Sequence, residues 1–141
     1  MLKRLGDLVG LTTDAERRSL AKMTIADVID AHMKWKLALQ EFVDGDCLTP
    51  FDPATAGRED QSLAGRWIHQ HAAEHLSRHG AFYTVRAMHT QFHLLAGEIV
   101  EKVLQGDRFA AAVMMKDRLL KISYEVVQAL LELDRQCAEA R

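Results

Sequence analysis

Cysteine is scarce in this sequence. Cys47 and Cys137 stand far apart and form no CxxC pair. That argues against a disulfide framework and against a zinc ribbon. Proline is as rare, and both copies fall in Thr49-Pro50-Phe51-Asp52-Pro53. Outside that stretch nothing forbids long helices. Charge of one sign is missing too: the net charge is -2, with both signs scattered along the chain. No strong field is available to draw in nucleic acid or a membrane surface. No apolar run approaches the roughly 20 residues that span a bilayer. Met1 to Arg18 carries positive charges without the apolar run of a signal peptide. The expectation is a cytoplasmic chain that binds neither nucleic acid nor membrane.

What is present is apolar residues at helical spacing. They make up 48% of the 141 residues, enough for one sizeable core. No stretch alternates with period two for long enough to be a strand. A short charged helix fits Asp14 to Ala21, capped by Thr12 or Thr13. A long helix follows Thr24, with Ile25, Val28, Ile29, Trp35, Leu39 and Phe42 on one face, and stops near Gly45. Asp44 to Gly57 is the long irregular segment. A third helix begins around Glu59 or Asp60, with Leu63, Trp67 and Ile68 facing the core, and runs out between His75 and Gly80. A fourth covers Phe82 to Leu104, with Phe82, Val85, Phe92, Ala96, Ile99 and Val103 on its face. Gly106 ends it, and Asp107 caps a last helix from Phe109 towards Cys137. The apolar positions of that helix include Val113, Leu120, Val127 and Leu130. The fold class expected is all-α: an antiparallel four-helix bundle over 24–141, preceded by an extension over 1–23 that carries the short helix, with one long proline-containing loop.

Seven histidines are many for this length. His89 and His93 are four residues apart, so a helix puts them on one face, one turn apart. Val85, Phe92 and Ala96 make that face apolar. His32, between Ile29 and Trp35, shares the apolar face of its own helix. Three imidazoles aimed into one core are costly unless their nitrogens are satisfied. A transition metal such as zinc satisfies them, since neutral imidazole is a good ligand. Core hydrogen bonding is the plainer alternative. His69, His71, His75 and His79 also include four-residue spacings, but Gln70, Glu74, Ser77 and Arg78 make that stretch read as a solvated helix end. A hemerythrin-like di-iron bundle needs core carboxylates, for which Glu98 and Glu101 are poorly placed. A haem held by His and Met would use Met88, Met114 or Met115, residues that more often simply pack.

Several of these residues together resemble the chemoreceptor zinc-binding domain, a bacterial four-helix domain found on chemoreceptors and on some diguanylate cyclases. The resemblance lies in His32-Met33-Lys34-Trp35, in Ser62-Leu63-Ala64-Gly65-Arg66-Trp67, and in His89-Thr90-Gln91-Phe92-His93. The closing stretch from Gly106-Asp107-Arg108-Phe109 to Lys121-Ile122-Ser123-Tyr124 also fits. It covers about residues 24 to 135. It implies zinc held by His32, His89 and His93, and signalling linked to chemotaxis or cyclic-di-GMP. One departure matters. The family's fourth ligand is a cysteine three residues before the glycine, and here that position is Ser62. A neutral hydroxyl is a poor zinc ligand, and without thiolate the centre keeps a charge near +2. Weaker binding is expected, with the fourth position taken by Ser62, by water, or by a carboxylate such as Glu59 or Asp60. The family's oxidant-sensitive thiol chemistry is absent at that position. No enzyme activity is expected. With no output module in the sequence, the signal is expected to pass to a separate signalling protein or through a homodimer, for which the wide apolar face of the last helix is a candidate. A degenerate, metal-free partner-binding module is the alternative.

Overall fold

Thr24 opens the first long helix with a reciprocal cap. Its hydroxyl accepts from the Asp27 N–H (3.1 Å), and the Asp27 carboxylate accepts from the Thr24 N–H (2.9 Å). The helix, α2 (Ile25–Asp44), stops at Gly45, whose φ of 87° costs a glycine little. The computed structural model describes residues 13–46 and 50–141. Cys47 and most of the expected N-terminal extension lie outside the described residues. Before α2 comes α1 (Asp14–Ala21), capped by Thr13. Its Leu20 is buried in the common core. Every regular element among the described residues is helical, so the chain is all-α. No described helix is long and apolar enough to cross a membrane.

The segment expected to be irregular is partly helical. Asp52 caps a single turn, α3 (Pro53–Ala56). Pro53 does not break it, because a first-turn proline loses an N–H that has no partner in the helix anyway. A 3-10 turn, Glu59–Gln61, follows. The acids Glu59 and Asp60 therefore stand before the third helix, and its N-cap is Ser62, which accepts from the Gly65 N–H (3.0 Å). This helix, α4 (63–75), runs through a π-helical turn, Trp67–Ala72. Trp67 and Ile68 are buried as expected, whereas Leu63 is exposed. As the first residue after the cap, Leu63 is on the outer side of the turn that Ser62 holds inward.

The two longest elements are α5 (Gly80–Leu104) and α6 (108–139). They run antiparallel side by side: the Ala81 N–H at the start of α5 donates to Gln136 Oε1 near the end of α6 (3.0 Å). The expected inner face of α5 is buried throughout. Phe82 and Phe92 are fully buried there, each contributing about 2–3 kcal/mol of hydrophobic stabilisation. At the far end, the Arg108 guanidinium donates to the Phe42 and Val43 carbonyls (3.0 and 2.8 Å), so α6 caps the C-terminus of α2.

The phase of α6 differs from expectation. The expected Val113 and Leu120 are exposed and Val127 is half-buried, while Leu130 is buried. The inward stripe is Ala111, Met115, Leu119, Ser123, Val126, Leu130 and Leu133. The π-helical turn Met115–Leu119 inserts extra residues per turn. Consecutive four-residue steps replace the 3.6-residue average and rotate the seam.

Candidate metal centre

Among the described residues, five polar side chains are buried: His32, Ser62, His89, His93 and Ser123. They come together in one place. α5 carries His89 and His93 one turn apart, with ring centroids 4.5 Å apart. α2 brings His32 to 6.1 Å from the His89 ring. The start of α4 brings Ser62, and α6 brings Ser123. Phe92 packs against His32 (4.6 Å) and Trp35 against His93 (4.5 Å), so aromatic rings wall the imidazoles from solvent. The four residues singled out from the sequence therefore meet. Ser123 joins them without having been foreseen.

Each nitrogen has a different situation. The His93 ring at Nδ1 faces the Ala56 carbonyl (3.0 Å). A carbonyl can only accept, so Nδ1 carries the proton and Nε2 offers its lone pair. That Nε2 lies 3.2 Å from the Ser62 hydroxyl, which also lies 3.2 Å from the Glu59 carbonyl. Ser62 has one proton for these two acceptors, while its own oxygen accepts from Gly65. His32 Nε2 and Ser123 Oγ are hydrogen-bonded at 2.8 Å. His89 has no partner at either nitrogen. Leaving buried polar groups unpaired costs about 1–3 kcal/mol each.

Burial sets the charge state. It lowers the His32 pKa to about 4 and that of His89 to about 2, with the neighbouring histidines adding to the effect. Burial lowers His93 as well, against the opposing pull of the Ala56 carbonyl and Glu59. All three are neutral imidazoles at neutral pH, the form that binds metal.

This donor set fits zinc in chemistry. Three neutral imidazoles converge, one has both nitrogens unpaired, and one is held by a carbonyl in the tautomer that bares Nε2, an arrangement common behind metal-ligating histidines. The rings are not yet closed on one point. Among the described residues, no group of three or more His, Cys, Asp or Glu side chains is posed to hold an ion. Imidazoles on one zinc have centroids about 5 Å apart, given zinc–nitrogen distances of about 2.0–2.1 Å. His89 and His93 come near this, and His32, turned to Ser123, stands beyond it.

The other histidines divide. His71 and His75 are neighbours (ring centroids 4.8 Å) in a half-buried to exposed stretch, as a solvated helix end requires. His75 and His79 share the four-residue spacing but no helix, since α4 ends at His75, where the helix was expected to run out, and His79 stands just before α5. His69 departs from the solvated reading. Its Nε2 is buried, and lies 3.5 Å from Glu59 Oε1. It sits in the π-helical turn, whose altered phase leaves no trace in the residue pattern. Glu98 and Glu101 are exposed on α5, away from the imidazoles. Met88 and Met114 pack against the core and Met115 is buried in it. Cys137 is a half-buried thiol near the end of α6.

Comparison with models of known families, with curated proteins and with solved structures finds no match.

Proposed function

We propose that this chain is a metal-sensing regulatory domain of the chemoreceptor zinc-binding type. Its helices make an antiparallel four-helix bundle, and zinc is held by His32, His89 and His93, with Ser62 at the corner where the family has cysteine. One observation carries the reading: the buried polar side chains converge on a single spot, and His89 there has neither nitrogen paired. A core histidine serving structure alone finds a hydrogen bond.

Bound zinc supplies a positive centre that several imidazole nitrogens share. The residues do the rest. Ala56 holds the His93 ring in register through Nδ1. His89 presents an unpaired nitrogen at no cost in broken bonds. To join the other two on a bound zinc, His32 would have to give up its hydrogen bond with Ser123, a contact that links α2 to α6. A bundle with two such arrangements is a switch, because occupancy favours one of them. No catalytic step is assigned to it. The output goes to a separate signalling protein or across a homodimer in the cytoplasm, in chemotaxis or cyclic-di-GMP signalling by the family resemblance. The outward residues Val113, Leu120, Tyr124 and Leu131 of α6 offer an apolar seam for a second copy.

A metal-free partner-binding module is the second reading. The hydrogen bonds of His32 with Ser123 and of His93 with Ser62 favour it. Zinc titration of the metal-free protein against a competing chromophoric chelator separates the two. One zinc per chain is expected, with Ser62→Cys binding at least about tenfold more tightly because thiolate replaces a neutral corner. Absence of zinc binding by wild type and by Ser62→Cys overturns the sensor reading. Binding by the variant alone identifies the metal-free module.

A further inference from the structure

Three groups compete for the fourth corner of this centre, and the structure distinguishes among them. Ser62 is already used: it caps α4 through the Gly65 N–H, and its proton serves His93 or the Glu59 carbonyl. Asp60 is also used. Its carboxylate takes the Arg58 guanidinium at 3.0 Å. Glu59 is different. Among the described residues the ionisable partner within ion-pair distance of its carboxylate is His69, at a loose 3.5 Å. Its other contact is the Thr90 hydroxyl, at 3.3 Å. Both contacts fall on Oε1 and lie at the outer edge of hydrogen bonding, so among the described residues Oε2 is left for another partner while His69 keeps its hold on Oε1.

Position favours Glu59 too. Thr90 follows His89 on α5 and lies between His89 and His93 in sequence, so the carboxylate already touches the helix that bears both. The Glu59 carbonyl shares the Ser62 hydroxyl with His93 Nε2. Gly65 makes this approach possible: a Cβ there would run into the Glu59 carbonyl oxygen. The Glu59 side chain is 27% exposed and borders an open cleft of about 430 Å³ that Arg58, Asp60, His69 and Gln70 also line.

We propose that Glu59 is the fourth, anionic ligand of the centre, taking the place of the missing thiolate, and that His69 is the positioning residue that holds its carboxylate from outside. This rests on the three-histidine zinc reading above. Charge supports it. Three neutral imidazoles leave a zinc centre near +2, and one carboxylate brings it to +1, the value a thiolate would give. A carboxylate ligand is ordinarily held by an outer hydrogen-bond partner, the role open to His69 with its buried Nε2.

The test uses the full chain, freed of metal and titrated with Co(II), whose visible bands report the ligand set, followed by displacement with zinc. Glu59→Gln is expected to shift the Co(II) bands and to weaken zinc binding by at least about tenfold. His69→Gln should weaken it within the roughly 10–100-fold range of outer-partner losses. Asp60→Asn should do neither. In a Ser62→Cys background, the thiolate removes the need for the carboxylate, so the Glu59→Gln effect should shrink towards onefold. Far-UV circular dichroism of each metal-free variant checks the fold. The ligand role is overturned if Glu59→Gln keeps the wild-type bands and affinity while His89→Gln loses binding. It is also overturned if Asp60→Asn weakens binding as much as Glu59→Gln, which marks a general field effect. If wild type binds neither Co(II) nor zinc, the three-histidine reading itself fails, and this proposal with it.

Discussion

His89 carries the largest residue-level consequence. Its ring is fully buried, and protonating it would place an unpaired charge beside two more imidazoles. Folding therefore lowers its pKa from 6.5 to about 2, and that of His32 to about 4. Above pH 6.5 the folded and unfolded chains are both neutral at these positions, and no stability depends on them. Below it the unfolded chain takes up protons that the folded chain refuses, so stability falls as the pH falls. The loss continues to about pH 4 for His32 and to about pH 2 for His89. Each group contributes up to about 1.4 kcal/mol per pH unit in its window. Urea unfolding of the metal-free protein should thus show about 1.6 kcal/mol lost per histidine between pH 6.5 and 5.0. His89→Leu should flatten that slope, and an unchanged slope would mean that His89 is protonated in the folded state. The need for neutral imidazoles was legible in the sequence, because His89 and His93 share a helix face with Phe92. The partners of the rings were not. The Ala56 carbonyl and the Ser123 hydroxyl come from distant segments, and no spacing rule links them to a histidine.

At the scale of elements, the helices that follow simple caps and a 3.6-residue period were legible. α2 begins at its Thr24–Asp27 box and ends at Gly45, and α5 buries the face its sequence marks out. The two elements that depart from expectation are those with π-helical turns, α4 and α6. A single wide turn rotates everything beyond it, and single-residue preferences do not encode where it lies. His69 lies in one of these turns and the inner stripe of α6 runs through the other. The start of α4 has a sharper constraint. Gly65 is buried against the Glu59 carbonyl, with the Ser62 hydroxyl 2.9 Å from where a Cβ would stand. Because the obstacle is backbone, the 3-10 turn must move as a whole. Gly65→Ala should therefore destabilise the protein by roughly 3 kcal/mol, at the upper end of overpacking costs and against the usual gain in helix propensity. Chemical denaturation measures it. Gly80→Ala is the control, since a Cβ there meets nothing within 4 Å. A Gly65→Ala protein as stable as the control would show that the turn can yield.

At the scale of the whole molecule, one hydrogen bond at the centre matters for how a signal could leave it. His32 Nε2 and Ser123 Oγ join α2 to α6 inside the core. If His32 must leave Ser123 to bind zinc, that bond stabilises the metal-free arrangement and opposes the bound one. Ser123→Ala then has two linked effects. Removing the hydroxyl leaves the imidazole nitrogen unpaired in the metal-free protein, which costs about 1 kcal/mol of stability. The bound state, in which His32 no longer uses Ser123, loses nothing. The same free energy therefore appears as tighter zinc binding, about fivefold for 1 kcal/mol. Thermal unfolding with and without zinc gives one side of this cycle and competitive titration gives the other. Loss of metal-free stability with unchanged affinity would show that His32 keeps its serine when zinc binds, and that α6 is insulated from the centre. Matching changes on both sides would identify the His32–Ser123 bond as the link through which occupancy reaches the outward face of α6.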